Sequence, residues 1–263
     1  MTRQSSSNVE RGAEILIALG NAGPGGLSLT ELATTTEDAK SAVHRALTGL
    51  ARYGFVEQSG RRGNYRLGST IFALSRRMPG FADLVELLRP ALISISARTG
   101  SSSFLMARSG LDAVCLDMQM GPALVQPLLS GIGGRLPLGV SHAGICMLAR
   151  LDRQSRETII EINRPQYDKW NIEMPTIRAE IEMFLQTGYV IGTRQTAGFD
   201  LWVLSLAPRP GDNRYGEIAV SLLASARDIN DTVINHHLAM AAEFLPFSTT
   251  PALQQKQPLP AAV

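Results

Sequence analysis

Between Asp38 and Tyr53 the chain sets Lys40, Ser41, His44, Arg45, Thr48 and Arg52 at spacings that share one side of a helix. Arg61 and Arg62 follow in the turn Ser59-Gly60-Arg61-Arg62-Gly63. These residues are cations and hydrogen-bond donors, and no carboxylate occurs from Lys40 to Tyr53. The chemistry they suit is contact with nucleic acid. Arg45 can give two parallel hydrogen bonds to a guanine edge, Ser41 and Thr48 can reach bases or phosphates, and Lys40, Arg61 and Arg62 match phosphate charge. Any surface helix shows Lys, Arg, Ser and Thr to water, so this face by itself decides little.

A second candidate chemistry is a thiol site. His142 and Cys146 stand one helical turn apart and Cys115 is the other cysteine. A cysteine nucleophile needs an adjacent base, and the base needs a group that orients it. No orienting residue or nucleophile loop is recognisable, so no catalytic residue is expected. Neither cysteine lies in a CxxC or Cys/His spacing, which points away from zinc and from a disulfide framework. His236 and His237 are adjacent and point to different sides of a helix, one expected buried and one solvated. No metal and no cofactor are expected.

The elements that must position the polar face come in a definite order. Ser7-x-x-Glu10 and Ser28-x-x-Glu31 are capping boxes that open a first helix and a short second one. A third helix runs from about Asp38 to Tyr53 with Gly54 as its stop, and Ala39, Val43, Ala46, Leu47 and Leu50 form its apolar stripe. Two strand-like segments, 55–58 and 64–67, flank the Arg-tipped turn. Three helices followed by a basic hairpin is the order of a winged helix-turn-helix, whose third helix enters the major groove. Charge agrees in sign: ten Lys/Arg oppose six Asp/Glu before Met78, and fifteen oppose seventeen from there on.

A helix over 69–77 is broken at Met78-Pro79-Gly80, and another runs from about Phe81 to Leu88. Beyond Pro90 strands and helices mix: strands near 102–107, 113–119, 189–193, 201–207 and 217–223, and helices near 141–151, 153–162, 176–187 and 231–244. The tail from Pro246 is proline-rich without periodicity and is expected to be disordered. The fold class expected is therefore α+β, with residues 1–68 a winged helix-turn-helix, 69–89 a helical linker, 90–245 a larger α/β domain and 246–263 the tail. No run approaches the roughly 18 apolar residues of a membrane span, and the N-terminal residues lack the apolar core of a signal peptide. A cytoplasmic location and no membrane partner are expected.

The stretch LSLTELATTTEDAKSAVHRALTGLARYGFVEQSGRRGNYRLG resembles the DNA-binding half of the IclR family of transcription regulators, particularly in KSAVHRALTGL, YGFVE and YRLG. GRLPLGVSHAGICMLARL, GYVIGTRQTAGFDLWVLSLAPR and GEIAVSLLAS resemble the family's sensor domain, which is similar to a GAF fold. The resemblance implies that the helix bearing Lys40, Ser41, His44 and Arg45 is the recognition helix. It also implies an effector pocket between the sheet and the helix opening at Ser141, with Gly144 as the helix-start glycine and Ile145, Ser205, Ser221 and Leu223 at pocket positions. The family's turn before the recognition helix usually holds a glycine and an apolar residue, where this chain has Glu37 and Asp38. The family pattern often has lysine, cysteine and a second serine where Ile145, Ser205 and Leu223 stand, and acidic residues where Gly192 to Gln195 stand.

Those departures favour an apolar or aromatic effector. Trp202, Phe104, Met106, Leu128, Leu129 and Ile132 would supply its walls, and His142, Ser205 and Ser221 its polar ends. The function expected is a ligand-responsive DNA-binding transcription regulator, a repressor of a catabolic operon released by a small apolar or aromatic effector. Its partners would be double-stranded operator DNA, that effector, and further copies of itself in a homodimer or homotetramer. The competing readings are an architectural DNA binder without a ligand and, less favoured, a thiol enzyme on a GAF-like domain.

Overall fold

The computed structural model describes residues 8–59, 63–78, 80–122, 131–196 and 199–247. Ser7, Arg61, Arg62, Leu128, Leu129 and the tail from residue 248 lie outside the described residues. Two compact units are present, the first running to Ala82 and including Ile132–Gly134, the second taking the rest of the chain from Asp83.

The first unit contains α1 (Asn8–Asn21), α2 (Leu29–Thr35), α3 (Lys40–Arg52), β1 (Val56–Gln58), β2 (Tyr65–Leu67) and α4 (Ser69–Ser75). The Ser28 hydroxyl accepts from the Glu31 N–H at 3.2 Å and the Glu31 carboxylate accepts from the Ser28 N–H at 2.8 Å, a complete capping box. Ile15 and Leu19 of α1, Leu32 of α2 and Val43 and Leu47 of α3 are buried together with Val56 and Tyr65 of the hairpin. β1 and β2 pair antiparallel with Glu57 opposite Arg66, and Leu27 bridges to Tyr65 at the hairpin's edge. Burial of the apolar stripe on α3 leaves its polar stripe no direction but outward.

The second unit contains α5 (Phe81–Thr99), β3 (Ser102–Ser109), β4 (Asp112–Gln119), β5 (Arg135–Pro137), α6 (His142–Arg150), α7 (Arg153–Lys169), α8 (Met174–Thr187), β6 (Tyr189–Thr196), β7 (Phe199–Leu206), β8 (Ile218–Ser225) and α9 (Asp231–Phe244). Its six strands form one antiparallel sheet in the order β5-β4-β3-β8-β7-β6. Alternation along the strands divides the side chains between two cores. Phe104, Met106, Leu201, Val203, Ala219 and Leu223 pack with α6, α7 and α8, whereas Leu105, Ala107, Trp202, Leu204, Val220 and Leu222 pack with α5 and α9.

Two helices outrun their expected ends. α5 continues through Pro90 and α7 through Pro165. A proline inside a helix costs about 3 kcal/mol, whereas each large apolar side chain fully buried contributes about 1.5–3 kcal/mol. In α5, Leu88, Ala91, Leu92 and Ile95 are buried on both sides of Pro90, so the stripe outweighs the missing N–H. In α7, Asn163 donates to the Leu111 and Leu138 carbonyls and Tyr167 donates to the Leu138 carbonyl at 2.7 Å, which ties the helix down around Pro165. Order also extends past Leu245: Phe247 is buried, with its ring 5.5 Å from that of Tyr215.

Candidate functional site

The outer face of α3 has the composition read from the sequence. Lys40, Ser41, His44, Arg45, Thr48 and Arg52 are all exposed. Thr48 is already committed in part, because its hydroxyl donates to the His44 carbonyl at 2.8 Å. It keeps lone pairs and a methyl group for a ligand, but not its proton.

Ahead of this helix lies the turn with two acids. Asp38 does not cap α3; the N-cap is Ala39, without a side-chain hydrogen bond. Asp38 instead accepts from Arg11 of α1 at 2.6 Å, and Arg11 also donates to Asn8. The Arg11 side chain is 9% exposed, so a nearly buried cation neutralises the acid and fastens the turn to the first helix. Glu37 is exposed and has a φ of 53°, the left-handed region that favours glycine. For an L-residue that conformation costs roughly 1–2 kcal/mol. Glu37→Gly should therefore raise the stability of the first unit by about 1 kcal/mol. Circular dichroism melts would register it as a higher midpoint, and an unchanged or lower midpoint would contradict it.

In the second unit a cavity of about 30 Å³ lies between the sheet and α6. Its walls are Phe104, Met106, Leu136, Ala143, Val203 and Leu223, and its polar groups are Ser141, His142, Arg194 and Ser221. Strand register explains the set: Phe104 stands opposite Ser221, Ser221 opposite Ser205, and Leu223 opposite Val203, all on the α6 side. Ser141 caps α6 by accepting from the Gly144 N–H at 3.1 Å. A Cβ on Gly144 would come within 3.1 Å of the Leu138 and Gly139 backbone, so glycine lets the helix start close to that strand-exit loop.

At the polar end three side chains converge. His142 is fully buried, and its Nε2 lies 3.2 Å from a Glu180 carboxylate oxygen. Arg194 donates to both Glu180 oxygens, at 2.8 and 2.6 Å, and through Nε to the Val140 carbonyl at 2.9 Å. Gly192 makes room for the imidazole, because a Cβ there would sit 3.3 Å from the ring. Burial pushes the Glu180 carboxyl up, but hydrogen bonds from His142 and Arg194 outweigh it and hold the group down at about 2. Burial and the Arg194 charge push His142 below its ordinary 6.5, so the imidazole is neutral near pH 7.

Acid should therefore destabilise the second unit in two stages. Below 6.5 the unfolded His142 takes up a proton that the folded one resists, and stability falls with pH. Glu180 adds a contribution that is complete above the ordinary carboxylate value of 4.5 and is lost as pH drops toward 2. Urea midpoints at pH 7.5, 5.5 and 4 should decline in that order, with the last step reduced in Glu180→Gln. A midpoint that is flat across the series would refute the assignment.

Residues 8–60 match the IclR helix-turn-helix domain. The transcriptional repressor IclR of Escherichia coli is 29% identical over 132 residues, 49% of this chain and 48% of that protein. The fold of an IclR transcriptional regulator from Alicyclobacillus acidocaldarius covers 91% of this chain and 96% of its own, with a TM-score of 0.68 at 19% identity. Residues 8–60 thus carry an IclR-type helix-turn-helix, and the chain as a whole has the fold of IclR-family regulators. It spans about half the length of the E. coli repressor. An IclR homologue from Microbacterium hydrocarbonoxydans, crystallised with 4-hydroxybenzoate, covers 90% of this chain and 97% of its own at a TM-score of 0.66 and 16% identity. The architecture is that of the IclR fold, with an N-terminal helix-turn-helix domain and a GAF-like α/β domain.

Of the expected effector residues, Phe104, Met106, His142, Ser221 and Leu223 line the cavity. Ser205 stands behind it, its hydroxyl 2.7 Å from that of Ser221. Gly144 shapes the helix start rather than the wall, and Ile145 is buried in the core beside it. Trp202 is corrected to the other side of the sheet. It neighbours Val203 on β7, and strand alternation turns it toward α9, where its ring meets His237 at 5.0 Å. Ile132 is 57% exposed and is not among the cavity's walls. Arg194 and Glu180 were not anticipated from the sequence. The available signal was a basic residue at 194, inside the segment where the IclR pattern is acidic.

The two cysteines are buried. Burial pushes the Cys115 thiol up to about 12 and Cys146 well above its ordinary range, so neither is a ready nucleophile at neutral pH. His237 is buried and His236 exposed, as their positions on one helix require.

Proposed function

We propose that this chain is a DNA-binding transcription regulator whose second unit takes a small organic effector. The observation that carries the reading is the exposed, carboxylate-free face of α3, together with an adjacent acid, Asp38, already neutralised by Arg11. In a winged helix-turn-helix this is the helix that enters the major groove. Lys40, Ser41, His44, Arg45 and Thr48 would contact the operator, joined by Arg61 and Arg62 from the wing. A cation-rich face without carboxylates suits phosphate charge, and Arg45 suits a guanine edge.

The effector would sit in the cavity against Phe104, Met106, Leu136, Val203 and Leu223, with His142, Arg194 and Ser221 at its polar end. A homologue of this fold crystallised with 4-hydroxybenzoate supports an aromatic effector. The existing free volume would hold a water rather than a ring, which needs on the order of 150 Å³. Met106, unbranched and flexible, is the wall residue able to swing aside. Effector binding would then favour one arrangement of a homodimer or homotetramer and alter operator affinity, with repression relieved by ligand. In this reading residues 1–68 bind DNA, 69–89 link, and 90–245 sense.

The test is a titration of the protein on DNA flanking its own gene, at several salt concentrations, against random DNA. Tighter binding to the flanking DNA, with a salt slope reflecting released counterions, is the expected result. Equal binding to both at every salt would overturn the reading. A protein whose operator affinity is indifferent to every small ring compound would instead be the ligand-independent architectural binder.

A further inference from the structure

Among the described residues the polar end of the cavity contains one cation, Arg194, and that cation is already spent on the protein's own groups. Its Nη1 donates to Glu180 and to the Thr193 carbonyl, its Nη2 to Glu180, and its Nε to the Val140 carbonyl. A guanidinium has five N–H bonds, so these contacts leave one. Its charge is matched by Glu180, and the two side chains are each 10% exposed, so the pairing is little screened by water. His142 adds no charge. With its Nε2 donating to Glu180, Nδ1 is left as an acceptor; this buried atom makes no close hydrogen bond among the described residues, although the ring lies near the Val203 carbonyl. Ser221 is engaged with Ser205.

From this arrangement we infer that Glu180 is the specificity-determining residue of the cavity: by occupying Arg194 it directs the site to neutral ring compounds bearing a phenol, alcohol or amide, and away from carboxylates. The inference rests on the effector-binding role proposed for this cavity. A ligand carboxylate would enter apolar surroundings with the Glu180 carboxylate just behind Arg194 and His142 and no uncommitted cation among the described lining residues to meet it, and like charges in a low dielectric oppose one another. A neutral hydroxyl or amide brings the donor that His142 Nδ1 lacks and an acceptor for the remaining Arg194 N–H. The apolar walls bury its ring without charge.

Titration calorimetry of the full-length protein with phenol, benzamide and benzoate tests this. The wild type should bind phenol or benzamide at least about 10-fold more tightly than benzoate, a factor equal to about 1.4 kcal/mol. Glu180→Gln uncovers the guanidinium and should raise benzoate affinity by a similar factor while leaving phenol within a few-fold. If a bare Arg194 prevents that variant from folding, Glu180→Gln/Arg194→Gln removes both charges and should keep the preference for the neutral compounds. Benzoate binding as tight as phenol in the wild type, no gain of benzoate binding in folded Glu180→Gln, or no binding of either neutral compound would each overturn the inference. Operator titration of the same ligand-free preparation separates the two levels. Retained operator binding with the wrong ligand order sinks only the role of Glu180, whereas loss of specific operator binding sinks the regulator reading itself.

Discussion

Arg194→Ala should lower the stability of the second unit by about 3–5 kcal/mol, the cost of leaving one partner of a buried ion pair alone. Glu180, 8% exposed in the wild type, would then keep only His142 as a side-chain partner among the described residues, and burial holds that imidazole below its ordinary pKa. Without Arg194 fewer donors hold the buried carboxyl down, so the group now held at about 2 should titrate higher; the folded variant then keeps a proton that the unfolded chain has released, and the loss of stability should be largest near neutral pH and partly recovered as pH falls. The Val140 carbonyl also loses its Arg194 donor. Urea unfolding followed by the fluorescence of Trp170 and Trp202, both in this unit, measures the loss. Glu180→Gln/Arg194→Ala should recover part of it, because the uncompensated charge is gone, and that recovery marks the effect as electrostatic rather than as lost packing. A loss under about 1 kcal/mol would place the pair among screened surface bridges instead.

Arg45→Ala should weaken binding to the specific operator by about 1–3 kcal/mol and relax the preference at one base pair. Arg45 is exposed near the middle of α3, on the face opposite buried Val43 and Leu47, where a recognition helix presents its side chains to base edges. Its loss would remove the bidentate, sequence-reading contact proposed for it. Arg52→Ala, at the last residue of α3, should weaken all DNA sequences alike and flatten the salt slope by about one ion, as expected for a phosphate contact. Gel-shift or anisotropy titrations on the operator and on single-base variants distinguish the two patterns. Identical losses on operator and random DNA for Arg45→Ala would show that it reads charge only.

Much of this was legible because it is local. Capping at Ser28-x-x-Glu31, the glycine stop after α3 and the apolar periods of α1, α3 and the β-strands are short-range consequences of backbone geometry, and the structure follows them. The polar face of α3 was legible for the same reason: a helix with a defined buried stripe has a defined opposite side. Local rules failed at Pro90 and Pro165, where burial distributed along the helix outweighed a penalty paid at one residue.

The sequence by itself determined the elements, the order that marks a winged helix-turn-helix before a mixed α/β domain, and the residues on the outer face of α3. Only the tertiary structure decided which partners meet across the chain. Arg11 lies 27 residues from Asp38 and Glu180 lies 14 from Arg194, and nothing periodic connects them. Likewise, its aromatic type marked Trp202 for the cavity wall, but pleating sends adjacent residues to opposite faces, so Val203 and not Trp202 reaches the cavity. Ion pairing depends on distance and on exclusion of water. Both are properties of the packed molecule, which is why the neutralised turn and the occupied guanidinium emerge only once the chain is folded.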